Sequence, residues 1–222
     1  MMSIQPVTIR HLLFDLDETL YTDTSGLFLE VGDRIEGWTA QALGISHEEA
    51  RRLRRLYYER YGTTMAGLLH DHPELDIDDY LDYVHAVDVS QYLKPSPELA
   101  AMLAELPAPK SIFTNSISDW AERITRQLGI RDHFEHIFDV RSVDYRCKPN
   151  RYAFANVLKQ LQLPGQACVM IDDQPAYLIG ASQIGMRTIL VRRDSRPAEG
   201  IDHAISRIQD AGPLLHSMLG GN

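Results

Sequence analysis

The feature that most constrains this chain is an alternation of textures. Short apolar runs of strand type occur at Ile9 to Phe14, Ser111 to Phe113, His136 to Val140, Ala167 to Ile171 and Thr188 to Val191. Amphipathic stretches of helical period separate the later ones: Pro97 to Glu105, Asp119 to Leu128, Arg151 to Gln160 and Tyr177 to Ile184. Gly129 and Gly185 fall where a helix C-terminus needs a left-handed residue. Strand and helix in alternation predict an α/β fold, a doubly wound parallel sheet of Rossmann-like topology.

One segment breaks the alternation. From about Tyr21 to Tyr92 the chain has helical periodicity and almost no strand signal, and Ser46 and Glu49 have capping-box spacing at the start of a helix that closes at Gly62. The expected organisation is an α/β core of residues 1–20 and 93–222 with a helical cap, 21–92, inserted after the first strand. From Ile201 to Leu219 the tail reads as one amphipathic stretch.

Composition bounds the partners. Lys and Arg number 22 against 31 Asp and Glu, a net charge of −9. Bulk charge therefore disfavours polymeric nucleic acid and anionic membrane surfaces, yet leaves room for a locally positive site holding one small anion. The two cysteines, Cys147 and Cys168, do not form a metal-binding pattern, and no segment has the length of a signal peptide core or a membrane span. A cytoplasmic protein with no membrane association is expected; oligomeric state is not readable.

The chemistry gathers at the strand ends. The first strand runs into Asp15, Asp17 and Thr19; the next ends in Thr114 and Asn115, followed by Ser116; a later one ends in Asp172 and Asp173; Lys148 precedes Pro149 at a helix start. Each group alone reads as a cap or a solvated loop. In this order, at the carboxyl edge of one doubly wound sheet, they converge on a single crevice. If the extended conformation persists through Asp15 and Asp17, both carboxylates point to one side. Four carboxylates so close repel one another unless a hard cation sits among them, and oxygen ligands without Cys or His point to Mg²⁺. Lys148, the Thr114 hydroxyl and backbone donors near Asn115 can receive a phosphoryl group.

With DLDET, FTNS, CKP and IDDQ in order, the chain resembles the haloacid dehalogenase superfamily of phosphotransferases over roughly Ile9 to Arg193. The resemblance implies Asp15 as the nucleophile forming an aspartyl-phosphate and Asp17 as general acid and base. An ester oxygen needs a proton to leave and a halide does not, so Asp17 favours phosphate esters over haloacids. It further implies metal ligation by Asp15, the backbone carbonyl of Asp17, and Asp173, with Asp172 a direct or water-mediated partner, and phosphate binding by Thr114, Asn115 and Lys148. FDLDETLYTDTSGLF, YYERYGTTMAGL, YLDYVHAVD and GIRDHFEHIFDVRSVDYRCKP are similar to the pyrimidine 5′-nucleotidase subfamily, which implies UMP or CMP as substrate. Gly62, Thr63 and Thr64, following the cap tyrosines, read either as substrate contacts whose hydroxyls bond the polar edge of a base or as an ordinary turn. Departures from that subfamily are Glu18 for Asn, Asp172 for Glu and Cys147 for Pro. A sugar-phosphate phosphatase or phosphomutase of the same superfamily, or a non-catalytic binding module, stays open.

Two cap features admit both a functional and a packing role. Tyr57 and Tyr61, four apart on one helix face, can stack on a base or fill the cap interior. Arg51, Arg52, Arg54 and Arg55 can attract phosphate or form a solvated face with Glu48, Glu49 and Glu59.

Overall fold

The structure, a computed structural model, describes residues 8–22, 26–194, 196 and 198–220. Six parallel strands form one sheet: β1 (His11–Phe14), β2 (Lys110–Phe113), β3 (His136–Phe138), β4 (Cys168–Asp172), β5 (Arg187–Val191) and β6 (His203–Ile205), in the order β3-β2-β1-β4-β5-β6. The chain starts in the middle, winds out to one edge and returns to build the other, which puts a topological switch point at the carboxyl end of β1. Every residue of β1, β2 and β4 is buried, as expected of central strands covered on both faces.

The pleat sorts the apolar side chains into two cores. Leu12, Phe14, Ile112, Val169 and Ile171 face one way, towards α5 (Pro97–Glu105), α6 (Ser118–Leu128) and α9 (Ala211–Leu219). Leu13, Phe113, Cys168, Met170 and Leu190 face the other, towards α7 (Arg151–Leu161) and α8 (Pro175–Ser182). Gly129 and Gly185 take left-handed conformations, φ 75° and 87°, as their places after helices require.

Of the five α-helices described between β1 and β2, the first four form the insertion: α1 (Leu27–Leu43), α2 (His47–Tyr61), α3 (Thr64–Asp71) and α4 (Ile77–Val84). The Ser46–Glu49 capping box opens α2, and Gly62 closes it at φ 85°. Half of the arginine run ties helices together: Arg51 and Arg54 reach Glu36 of α1, a carboxylate 3% exposed, at 2.9 and 3.0 Å. Arg52 makes the looser surface pair with Glu48, 3.5 Å away. Tyr57 is buried against Gly67 of α3, where an added Cβ would meet its ring at 2.1 Å. That tyrosine therefore fills the interior of the helical insertion.

The tail departs from the sequence expectation. Instead of one amphipathic stretch it holds the edge strand β6 and then α9; three residues are too few to show a strand period. Among the described residues no helix is long and apolar enough to cross a membrane.

Candidate active site

Register brings the strand ends together. Phe14 pairs with Ile112 on one side and Ile171 on the other, so Asp15 emerges one row beyond, next to the ends of β2 and β4. The strand itself ends at Phe14, with the Asp15 amide still donating to the Ile171 carbonyl at 2.9 Å. Leu20 donates its amide to the Leu16 carbonyl at 2.9 Å, and Glu18 sits in the left-handed region at φ 64°. This turn gives Asp15 and Asp17 different partners.

Asp15 meets Lys148. The lysine is fully buried, its ammonium 5.2 and 5.3 Å from the ring centres of Phe113 and Tyr177. It donates to Asp15 Oδ1 at 2.8 Å and to Asp172 Oδ2 at 2.7 Å. Burial works against its charge, but Asp15 and Asp172 outweigh burial and lift the ammonium above the ordinary lysine range. Asn115 fixes the backbone from which this side chain springs: its Oδ1 accepts from the Lys148 amide at 2.8 Å and its Nδ2 donates to the Lys148 carbonyl at 3.1 Å. The side chain expected to meet phosphate thus braces the lysine.

Asp172 is fully buried and accepts the Gln174 amide at 2.8 Å; Asp173 accepts from the Thr19 hydroxyl at 3.3 Å and from the Gln174 side chain. Asp15, Asp172 and Asp173 offer oxygens all within 4.8 Å of one another. Burial pushes all three carboxyls above the usual carboxylate range; repulsion from their neighbours adds to it, and Lys148 pulls back. Three carboxylates against one ammonium leave two negative charges uncompensated. An oxygen-only donor set with that deficit fits a hard divalent cation such as Mg²⁺. A cleft of about 440 Å³ beside Glu18, Gln174 and Arg192 opens onto Asp173.

Asp17 is held apart from this cluster. Its Oδ1 accepts from Tyr21 Oη at 2.5 Å and Trp120 Nε1 at 2.9 Å, and its Oδ2 from Ser116 Oγ at 2.8 Å. Burial and then the Asp17 charge keep the Tyr21 phenol protonated, well above its ordinary pKa, so it is a donor here. Thr114, buried at the end of β2, accepts the Ser116 amide at 3.0 Å and so shapes the turn that carries Asn115 and Ser116.

The Gly62–Thr64 turn reaches the same edge. The Gly62 carbonyl accepts from Tyr177 Oη at 2.9 Å, and Thr63 Oγ1 lies 3.5 Å from Cys147 Sγ while accepting the Ala66 amide at the start of α3. Thr64 is buried. Sequence reasoning missed Tyr21, Trp120 and Tyr177, and gave Ser116 no contact with Asp17, because no short motif marks a residue that holds another in place. It also missed Tyr58, which is 48% exposed and lies in the field of Asp173, Asp172 and Asp15; after burial, their charges raise its phenol pKa.

A parallel sheet of this order thus carries, at its switch point, an aspartate bound to a buried lysine and flanked by two more carboxylates, as an α/β protein with a ligand site at the strand ends would. The chain belongs to the haloacid dehalogenase-like hydrolase family, whose sequence profile matches residues 9–185. It is 30% identical over 194 residues to "Phosphate metabolism protein 8" of Saccharomyces cerevisiae, covering 80% of this chain and spanning only 60% of that relative. A "Glyceraldehyde 3-phosphate phosphatase" of Methanocaldococcus jannaschii is 25% identical over 230 residues, 95% of this chain and 98% of the relative. Solved structures share the fold: CbbY from Rhodobacter sphaeroides in complex with phosphate (TM-score 0.66, 24% identity, 92% and 97% of the two chains) and a HAD phosphatase from Thermococcus onnurineus (0.65, 21%, 96% and 99%).

Proposed function

We propose that this chain is a Mg²⁺-dependent phosphomonoesterase acting through an aspartyl-phosphate on Asp15. The observation that carries the reading is the joining of Asp15 to a buried ammonium, with Asp17, two residues on, held by three donors of its own. An Asp15 oxygen attacks phosphorus while the bond to the ester oxygen breaks, and Asp17 gives that oxygen its proton. Water then attacks the phosphorus, Asp17 takes the water proton, and phosphate leaves with Asp15 restored. Lys148 orients Asp15 and offsets charge as the dianion approaches, and Thr114 and the main chain at Asn115 and Ser116 border the phosphoryl group. A divalent ion held by Asp15, Asp173 and the Asp17 carbonyl, with Asp172 beside it, supplies further positive charge at the phosphoryl oxygens when bound.

The helical insertion, residues 21–92, acts as a cap over the core of residues 1–20 and 93–222, excluding water before attack. Its Gly62–Thr64 turn, next to Cys147 and Tyr177, is the part that meets the leaving group. Similarity of YYERYGTTMAGL to the pyrimidine 5′-nucleotidases supports UMP or CMP as substrate. The near full-length archaeal relatives named as glyceraldehyde 3-phosphate phosphatases favour a second reading, a small sugar phosphate.

A panel of UMP, CMP, purine nucleotides, small sugar phosphates and p-nitrophenyl phosphate, with and without Mg²⁺, decides between them. Preference for UMP or CMP is expected. Preference for triose or other sugar phosphates overturns the nucleotide reading, and absence of Mg²⁺-dependent hydrolysis of every ester overturns the enzyme reading itself.

A further inference from the structure

We propose that Trp120 is a positioning residue for Asp17, and that it takes its own orientation from the second connection between the helical insertion and the sheet. The inference rests on the acid–base role of Asp17 given above.

Trp120 lies in the first turn of α6 and is 2% exposed, yet its one polar atom is spent on a single carboxylate oxygen, Asp17 Oδ1, 2.9 Å away. An indole nitrogen donates and never accepts, so the contact fixes which oxygen is the acceptor. Tyr21 adds a second donor to the same oxygen. Oδ2 is left with Ser116, whose hydroxyl rotates between donating and accepting. The carboxyl group is thereby locked about its own axis, with Oδ2 the oxygen through which a proton can be exchanged. A general acid displaced by about 1 Å forfeits much of its effect, so a rigid donor on Oδ1 has catalytic consequence.

The indole also meets the chain leaving α4. The His85 ring stands 5.3 Å from the Trp120 ring at 52°. Arg123, one turn further along α6, donates to the carbonyls of His85 and Val87 at 2.6 Å each and places its guanidinium 5.3 Å from the indole centre. The first connection, Asp17 to Tyr21, and the second, His85 to Val87, therefore meet at one side chain. Neither can shift against the sheet without moving the donor on Asp17.

A leaving-group comparison tests this. A nitrophenolate leaves without a proton, whereas an alkoxide needs one, so loss of a positioned acid depresses kcat/KM for an alkyl phosphate more than for p-nitrophenyl phosphate. The ratio of the two values is independent of the fraction of enzyme folded, so a purely structural role for Trp120 does not move it. The alkyl ester is the one hydrolysed fastest in the substrate panel. Asp17→Asn should show the split in full. Trp120→Phe, which keeps the ring and removes the N–H, should show it by about tenfold, the scale of one hydrogen bond to a charged group. Arg123→Met should show it in the same direction by about threefold. No split in Asp17→Asn overturns the acid–base role of Asp17. A split there and none in Trp120→Phe overturns the positioning role, and a split in Trp120→Phe without one in Arg123→Met overturns the link to the second connection.

Discussion

Replacing Lys148 by methionine removes the ammonium that stands between Asp15 and Asp172 while keeping most of the volume. At 2.7 and 2.8 Å, and an effective dielectric of about 20, each contact carries roughly 6 kcal/mol of Coulomb attraction. Desolvation of the buried groups offsets much of this, so the scale for breaking a buried pair, about 3–5 kcal/mol, applies to the loss of stability. The loss depends on pH in a defined direction. Without the ammonium, the folded-state pKa values of the carboxyls, already raised by burial, rise further above their unfolded value of about 3.9. The folded variant then binds more protons than its unfolded chain, and its stability recovers as pH falls through those raised values.

Urea denaturation in EDTA, followed by circular dichroism for both proteins at pH 8 and pH 5, measures the difference. The deficit of Lys148→Met should be about 3–5 kcal/mol at pH 8 and should shrink to about half or less at pH 5. Mg²⁺ at pH 8 should narrow it, because the variant gathers three carboxylates with no cation among them. Equal deficits at the two pH values, with no response to Mg²⁺, would refute the electrostatic reasoning and reduce Lys148 to a packing element.

Asp15→Asn should lower kcat by at least about 10⁴-fold. Its melting temperature should be unchanged or raised, because one of three mutually repelling carboxylates is gone; scanning calorimetry beside steady-state kinetics checks both. Gly62→Ala should cost about 1–2 kcal/mol, since φ is 85° and the new Cβ would lie 3.1 Å from Pro149 Cδ and 3.3 Å from the Lys148 carbonyl. It should also weaken kcat/KM as the turn lifts from Tyr177. His11, buried beside Ser111, has its pKa held down to about 4 by burial and by the charges of His136 and Lys110. Its contribution is fully present above about pH 6.5 and is lost as pH falls through about 4, up to roughly 3 kcal/mol. His11→Gln should flatten the acid limb of the stability profile by that amount.

What was legible in the sequence follows from what each signal measures. Strand ends that carry Asp15, Thr114, Asn115, Asp172 and Asp173 announce themselves because buried parallel strands are continuous apolar runs, and the polar residue that ends the run falls at the ligand edge. The partners of Asp17 were not legible: the expected direction assumed a strand running through Asp15 and Asp17, and β1 ends at Phe14. The bracing of Lys148 by the Asn115 amide was not legible either, because a sequence does not show which polar atoms meet. Two of the four arginines in the run of α2 pair with Glu36, which is distant in sequence. β6 was not legible because its three residues hold too little alternation to stand out from the amphipathic stretch around them.

The site divides its aspartates by the kind of partner each is given. Asp15 and Asp172 face an ammonium, and Asp173 faces Thr19 and Gln174. This cluster carries charge that a cation can complete. Asp17 faces two hydroxyls and an indole, all neutral donors, so its charge is solvated by dipoles rather than by the lysine. A turn of four residues after β1 is enough to send two carboxylates, two positions apart, into these different environments. In the proposed mechanism this separation answers a chemical conflict: the nucleophile must be ionised beside phosphate, and the acid must be able to hold a proton. Holding both on one short segment fixes their spacing, and each carboxylate keeps its own set of partners.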